Sequence, residues 1–104
     1  MANDVKTIIQ EIHDHIVNGC GGGNYSDYYV GITKDIEDRL FGAHKVPKEG
    51  HCYIYRVAFN DTDSRAVETH YLDKGMQGGD GGGDDESVYV YVYKIGRNTV
   101  EQTS

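Results

Sequence analysis

Valine and tyrosine alternate without interruption near the end of the chain, between Ser87 and Ile95. In an extended chain successive side chains point to opposite faces, so this period of two places the valines on one face and the tyrosines on the other. The residues concerned are Val88, Val90 and Val92 on one face and Tyr89, Tyr91 and Tyr93 on the other. The stretch 87–95 therefore predicts a β-strand with two chemically different faces.

A second strand is predicted at Tyr28–Thr33, where β-branched and aromatic residues dominate. Gly31 interrupts this strand, and a glycine inside a strand marks a bulge or a close approach of another group to the backbone. Thr33 and Asp35 are good helix N-caps, so we expect the chain to turn directly into a helix that runs to His44.

This helix carries an arginine beside its apolar face. Ile36, Leu40 and Ala43 share one face at helical spacing, and Arg39 lies between Ile36 and Ala43. A guanidinium next to apolar residues is costly unless an anion binds it. The position of Arg39 therefore favours a site that binds an anion.

These residues resemble a known family. Tyr29-Val30-Gly31-Ile32-Thr33, followed at fixed distance by Arg39, Leu40 and His44, is similar to the second motif and the arginine helix of GIY-YIG nuclease domains. Arg65-Ala66-Val67-Glu68 is similar to the helix that carries the metal-binding glutamate of that family. The resemblance covers residues 25–75, and the Gly-Ile-Tyr strand that normally precedes the second motif is absent from its usual place.

The order of elements differs from that of the family, which runs strand, strand, helix, strand, helix. Here an amphipathic helix over 4–18 stands in place of the first strand, and the order is α-β-α-β-α-β. We predict an α+β domain over 1–104, with a three-stranded antiparallel sheet flanked by three helices. Our hypothesis is a circular permutation, in which the C-terminal strand pairs beside 28–33 and Tyr91 replaces the tyrosine of the missing motif. The alternative is that this strand completes the sheet elsewhere.

The resemblance implies metal-dependent hydrolysis of a phosphodiester bond. Glu68 would hold Mg²⁺, and Arg39 would stabilise the phosphate. Tyr29 or one of the C-terminal tyrosines, with Tyr91 foremost, would orient or deprotonate the attacking water, assisted by His44. Gly31 would have a structural role in the motif. The expected partner is nucleic acid, with DNA as the first expectation.

The charge of the chain favours a second class of function. The net charge is −7, whereas attraction to phosphates supplies most non-specific affinity for nucleic acid. Residues 27–58 carry five bases and five acids, whereas residues 59–86 carry two bases and eight acids. The excess of negative charge therefore lies outside the region of Arg39. The alternative is therefore a GIY-YIG-like module that binds a partner and cuts nothing.

We expect the remaining stretches to have structural roles. Apolar residues on both faces of 51–59 predict a central strand that is covered on each side. Asn60–Ser64 predicts a capped turn before the helix that bears Glu68, and Gly75 predicts its end. The Gly/Asp-rich stretch 75–86 predicts a flexible surface loop, and 97–104 predicts a frayed tail.

The two cysteines, Cys20 and Cys52, predict no disulfide framework, and Cys20 in its glycine-rich loop predicts an exposed free thiol. Together with an N-terminus that lacks a signal pattern, this predicts an intracellular protein. His51-Cys52 offers two metal ligands, but zinc needs about two more at fitting spacing and the sequence offers none. His13, Asp14 and His15 predict a solvated helix face. No apolar stretch approaches the roughly 20 residues that cross a membrane.

Overall fold

The computed structural model describes residues 2–78, 86–97 and 99–101. In chain order its elements are α1 (Val5–Gly19), a 3₁₀ turn (Tyr25–Asp27), β1 (Tyr28–Thr33), a π-helix (Glu37–Ala43), β2 (Tyr53–Val57), α2 (Asp61–Lys74) and β3 (Tyr89–Lys94). The predicted α+β class, with three helices around a three-stranded antiparallel sheet, is confirmed.

The C-terminal strand lies in the middle of the sheet. β3 pairs antiparallel with both β1 and β2, so the strand order is β1-β3-β2. The predicted pairing of the last strand with 28–33 is therefore present, with Gly31 directly opposite Tyr91. The prediction that 51–59 is the covered central strand is wrong, because β2 lies at the edge and Tyr55 is 41% exposed. Tyrosine counts as apolar in a sequence pattern, yet its hydroxyl tolerates water at a sheet edge.

The valine face of β3 packs under the two α-helices. Ile8, Ile12 and Ile16 of α1 are buried against this face, as the helical spacing predicts. Asp4 caps α1 by accepting a hydrogen bond from the Thr7 amide at 2.8 Å. None of the helices in the described ranges is both long and apolar enough to cross a membrane.

The tyrosine face of β3 forms a second, separate core beneath the π-helix. Its buried members come from β1, β3, the π-helix and the residues that flank this helix: Tyr29, Ile36, Leu40, Val46, Tyr91 and Tyr93. Because the strict alternation sends every second residue of β3 to this face, the tyrosine hydroxyls gather where the π-helix ends. This layering builds the site described below.

Helix α2 ends as predicted, at Gly75 with a left-handed φ of 112°. The chain then turns back onto β1 instead of leaving the surface. Met76 is buried, and Gln77 exchanges backbone hydrogen bonds with Tyr28 and Val30, both at 2.9 Å. The predicted flexible loop is thus wrong for 75–78, because the edge of β1 offers open backbone groups that this segment satisfies. Residues 79–85 lie outside the described ranges.

The prediction of a free thiol is also wrong, because Cys20 and Cys52 form a disulfide. The two residues lie 32 positions apart, with Cα atoms separated by 5.5 Å. The bond joins the loop after α1 to the residue just before β2. The sequence does not predict this bond, because the separation of 32 residues follows no helix or strand period. The two cysteines meet because α1 packs against β2.

Candidate active site

The ring of Tyr91 lies across the backbone of β1 at Gly31. A Cβ atom placed on Gly31 would lie only 2.5 Å from Cζ of Tyr91 and 3.0 Å from Cε2, which no real side chain tolerates. The prediction of a close approach at this glycine is therefore confirmed, and the approaching group is the tyrosine of the neighbouring strand. Tyr91 is 1% exposed, so its hydroxyl is directed into the protein.

The helix that follows β1 is a π-helix, in which backbone bonds span five residues. The His44 amide donates to the Arg39 carbonyl five residues earlier at 2.9 Å, whereas at the start of the helix the Arg39 amide donates to the Asp35 carbonyl four residues earlier at 3.0 Å. The N-terminus of this helix is held by the predicted caps, since Thr33 Oγ1 accepts from the Asp35 amide and Asp35 Oδ1 from the Asp38 amide. Wide turns of this type are frequent at functional sites. Here the turn sets the positions of Arg39 and His44.

His44 is fully buried, and both of its ring nitrogens have a partner. Nδ1 lies 2.6 Å from the Val100 carbonyl, which can only accept, so Nδ1 carries the proton. Nε2 is then an acceptor, and the Tyr91 hydroxyl donates to it at 2.7 Å. Burial lowers the pKa of His44, and the nearby charge of Arg39 lowers it further, while the hydrogen bond to Val100 opposes both. The imidazole is therefore neutral near pH 7 and points its lone pair at Tyr91.

Arg39 acts on the same hydroxyl through its charge and a hydrogen bond. Burial raises the pKa of Tyr91 well above its ordinary value, as does the nearby Tyr29, whereas the charge of Arg39 and its hydrogen bond to Tyr91 act in the opposite direction. The Tyr91 oxygen thus lies between a guanidinium that donates to it and an imidazole that accepts from it. This arrangement fixes the direction of the Tyr91 proton, and it depends on the His44 tautomer that the Val100 carbonyl sets.

The ring of Tyr29 packs against the rings of His44, Tyr91 and Tyr93. Its ring stacks on Tyr93 with a centroid separation of 5.4 Å and lies parallel to Tyr91 at 6.4 Å. It also meets the His44 ring at 4.7 Å in a tilted contact. Tyr29 is 7% exposed, so these contacts are within a packed aromatic layer.

Glu68 approaches the cluster from α2. Its side chain is almost completely buried, at 8% exposure, and its negative charge is close enough to Tyr91 to raise the pKa of that residue. The burial of an acid on the apolar side of this helix, next to Val67 and Tyr71, is as predicted. A buried carboxylate is retained in proteins where it has hydrogen-bond donors, an opposite charge or a metal as partner.

Residues 99–101, which belong to the predicted frayed tail, pack against the candidate site through contacts of Val100 with His44 and of Glu101 with Tyr93. The Val100 amide donates to the His44 carbonyl at 2.8 Å, and the Val100 carbonyl accepts from His44 Nδ1. The Tyr93 hydroxyl donates to Glu101 Oε2 at 2.9 Å. The prediction of fraying is therefore wrong for residues 99–101, because the buried imidazole of His44 takes the Val100 carbonyl as its acceptor.

An open groove of about 200 Å³ runs beside Arg39 at the exposed side of the site. Two cationic and two acidic side chains line it, so its charges balance despite the strongly acidic chain. Its lining consists of Ile32, Thr33, Lys34, Asp35, Asp38, Arg39 and Ser87. Lys34 also lies 4.0 Å from the Glu86 carboxylate. Of the predicted catalytic residues, Arg39 lines this groove, whereas Tyr91 and Glu68 are buried and do not line it.

The structure brings together all the residues that the sequence predicted for the site. Tyr29, Arg39, His44 and Tyr91 are linked by direct contacts, and Glu68 acts on Tyr91 through its charge. Sequence reasoning missed the contributions of Val100 and Glu101. Val100 acts through its backbone, which leaves no trace in a sequence, and Glu101 is an ordinary acid in a polar stretch.

The Mg²⁺ ion that the resemblance implies can be compared with the donors present. Mg²⁺ in proteins is bound by one or two carboxylates, together with waters and substrate phosphate oxygens. Glu68 supplies one carboxylate, and its charge acts on the same tyrosine, Tyr91, as the arginine that would bind a phosphate. The residues present fit this mode in donor type, with phosphate and water completing the coordination.

The chain was compared with protein-family models, with curated proteins and with solved structures, and no significant match was found in any of the three.

Proposed function

We propose that this protein hydrolyses phosphodiester bonds in nucleic acid in a metal-dependent reaction. The observation that supports this most strongly is the position of the Tyr91 hydroxyl between Arg39 and His44. Arg39 and His44 come from the π-helix and its C-terminal end, whereas Tyr91 comes from β3, the strand that the permutation hypothesis requires. The resemblance to GIY-YIG domains includes Arg39 and His44, and the contact of His44 with Tyr91 adds a residue from outside the matched stretch of 25–75.

Arg39 binds the scissile phosphate in this proposal. Its side chain lies between the groove and the Tyr91 oxygen, and its planar, permanently charged fork can hold two phosphate oxygens at once. A donor that is fixed in place before the substrate binds stabilises the extra negative charge of the transition state. Lys34, on the same groove, adds a second positive charge for the flanking backbone.

Tyr91 and His44 move the proton of the attacking water. Tyr91 remains protonated near pH 7 because burial raises its pKa, and its hydroxyl donates to neutral His44. As the water attacks, its proton passes to the Tyr91 oxygen while the Tyr91 proton passes to His44 Nε2. The lowered pKa of His44 keeps this nitrogen free to accept near neutral pH.

Glu68 would hold the Mg²⁺ ion, which neutralises charge on the phosphate when it is bound. The negative charge of Glu68 and the positive charge of Arg39 act on Tyr91 in opposite directions. Loss of Glu68 therefore disturbs the electrostatic balance of the site as well as its capacity to hold a cation.

The test is Mg²⁺-dependent nicking of supercoiled plasmid and of branched DNA by the purified chain. We expect nicking that disappears with EDTA and with each of three substitutions, Glu68→Gln, Arg39→Lys and Tyr91→Phe. Asp73→Asn, which removes an exposed carboxylate from the same helix as Glu68, is the matched control and should cut like the wild type. Cutting that persists in Glu68→Gln would overturn the assigned mechanism.

A second function is favoured by the burial of the site. Tyr91 is 1% exposed and Glu68 is 8% exposed, so water and a metal have little access to either in this conformation. Together with the net charge of −7, this favours a GIY-YIG-like module that binds a partner without cutting. Wild-type protein that binds none of the DNA substrates and nicks none of them, at any Mg²⁺ concentration, would favour this alternative.

An intracellular location is part of the proposal, since nucleic acid is its substrate. Disulfides persist mainly in oxidising compartments, so the Cys20–Cys52 bond is unusual for such a location. Trapping of free thiols with a maleimide in intact cells would report the state of both cysteines. If neither cysteine reacts with the maleimide, both are held in the disulfide, which would contradict a reducing environment.

A further inference from the structure

A group of possible metal ligands lies on the side of α1 away from the candidate active site. His15, Cys20 and Cys52 each offer one ligand atom, and these atoms all lie within 4.8 Å of one another. All three residues are half-buried, so solvent and ions can reach them. It is the one cluster of three or more such ligands within the described ranges. We call it the His15 cluster.

Backbone hydrogen bonds anchor each of the two cysteines independently of the disulfide. The Cys20 amide donates to the His15 carbonyl at 3.0 Å, and the Gly22 amide donates to the Ile16 carbonyl at 2.8 Å, which closes the end of α1. On the other side the Lys94 amide donates to the Cys52 carbonyl at 3.0 Å, which fixes Cys52 beside the central strand. Reduction of the disulfide breaks none of these backbone hydrogen bonds, so Cys20 stays anchored to α1 beside His15 and Cys52 stays anchored to β3.

The neighbouring histidine is not part of the cluster. His51 Nε2 lies 2.6 Å from the Lys94 carbonyl, which can only accept, so the ring donates its proton there. The groove of about 500 Å³ beside His15 is lined by Glu11, Asp14, His15, Asn18, Gly19, Ile54 and Arg56. Within it Glu11 is bound to Arg56 at 2.6 Å. Three ligands thus converge and one side stays open to solvent.

We propose that the reduced protein binds one zinc ion through His15, Cys20 and Cys52, and that formation of the disulfide releases it. Two thiolates and one imidazole are the donors that zinc prefers, and sites with three protein ligands keep a fourth position for water or another ligand. The proposal goes beyond the nuclease function, since the His15 cluster and the Tyr91 site share no residue.

The exchange balances as a two-electron reaction. A dithiol attacks the Cys20–Cys52 bond, becomes a disulfide itself and leaves two protein thiols. Zinc then binds, and the two thiols release two protons as they become thiolates. In the reverse direction a small-molecule disulfide accepts two electrons from the thiolates, and the metal loses two of its three protein ligands.

Cobalt is the probe for this site, because Co²⁺ takes the place of zinc and absorbs light when thiolates bind it. The chain is reduced with a phosphine, freed of reductant without air, and titrated with Co²⁺ with and without competing Zn²⁺. We expect one Co²⁺ per chain, a sulfur-to-cobalt charge-transfer band, and displacement by one equivalent of Zn²⁺. The oxidised protein should give no band.

Substitutions separate this site from adventitious binding. Cys20→Ser and Cys52→Ser should each lose most of the charge-transfer band, and His15→Asn should weaken binding by at least about tenfold, equivalent to 1.4 kcal/mol. His13→Asn, which removes an exposed histidine from the same helix, is the matched control and should bind like the wild type. His15→Asn keeps both cysteines, so circular dichroism of its oxidised form shows whether it has folded.

The proposal is overturned if reduced wild-type protein gives no thiolate band, or if folded His15→Asn binds Co²⁺ as tightly as the wild type. Oxidised protein that binds Co²⁺ as well as reduced protein would also overturn it, because the disulfide removes two of the three ligands. None of these results bears on DNA nicking, so failure here and failure of the proposed nuclease are distinguishable.

Discussion

Gly31 of β1 lies directly opposite Tyr91 of β3, and the tyrosine ring occupies the space where a side chain at residue 31 would stand. The backbone of one strand is thus shaped to the aromatic ring of the next. His44 and Arg39 hold the end of that ring, so it cannot swing aside without losing buried hydrogen bonds.

The first prediction concerns this close approach. Gly31→Ala should displace the Tyr91 ring and lower the free energy of unfolding by about 1–3 kcal/mol, the usual cost of overpacking a core. Urea denaturation measures the change. Gly42→Ala is the control, because a Cβ there meets only ordinary contacts, the nearest at 3.5 Å, and should leave the stability unchanged or higher. Equal effects of the two substitutions would show that the ring of Tyr91 adapts freely.

The sequence predicted most of this site because its signals are local or periodic. The alternation of β3 sends Tyr91 to one face, and the spacing after Thr33 places Arg39 and His44 on one helix. The contacts of Val100 and Glu101 were missed, because a backbone carbonyl has no sequence signature and a short polar stretch resembles any mobile terminus. The π-helix was missed as well, since its wider turn differs from an α-helix only in hydrogen bonding.

The second prediction concerns pH. Burial lowers the pKa of His44, so the folded protein resists protonation while the unfolded chain takes up a proton near pH 6.5. The contribution of His44 is therefore fully present above about pH 6.5 and is lost as the pH falls from there toward the lower folded pKa. A single proton can contribute a slope of at most about 1.4 kcal/mol per pH unit.

This slope is measured by urea denaturation between pH 7.5 and pH 5. His44→Gln should destabilise the protein at pH 7.5 and flatten the part of the curve just below pH 6.5, because the titrating group is gone. Acidic groups also contribute at lower pH, so the comparison with wild type at each pH is the informative one. A wild-type stability that rises as the pH falls through this range would contradict the burial of a neutral imidazole.

The third prediction concerns the C-terminal segment. Deletion of residues 99–104 should lower the free energy of unfolding by about 1–3 kcal/mol, because buried Nδ1 of His44 loses the Val100 carbonyl at 2.6 Å and keeps only the longer contact of 3.2 Å with the Tyr93 hydroxyl. Val100→Ala is the control, since it keeps the backbone carbonyl and alters only a side chain that is 36% exposed. The control should stay within about 0.5 kcal/mol of wild type. If Val100→Ala destabilises as much as the deletion does, side-chain packing rather than the carbonyl carries the effect.

The sheet and the disulfide show where prediction from sequence ends. Strand 28–33, the helix over α2 and the last strand follow from turn residues and periodicity, and each was found near its expected bounds. The edge position of β2 was mispredicted because a strand rich in tyrosine looks apolar on both faces. The Cys20–Cys52 bond was missed because neither residue lies in a pattern, and only the packing of α1 against β2 brings them together.

The last prediction concerns this disulfide as a stabilising link. Closing a loop over a sequence separation of 32 restricts the unfolded chain, and the loop-entropy model gives about 3–4 kcal/mol for this length. Reduction in the presence of a chelator should therefore lower the urea midpoint of the wild type to that of the double variant Cys20→Ala/Cys52→Ala, which cannot form the disulfide.

If zinc binds the His15 cluster, adding Zn²⁺ to reduced wild type should recover part of the lost stability, in proportion to the logarithm of the free metal concentration. The double variant has lost both thiols and should show no recovery, which separates binding at this cluster from a general effect of the ion. A midpoint that reduction leaves unchanged would mean that the packing of α1 on β2 alone fixes these two segments.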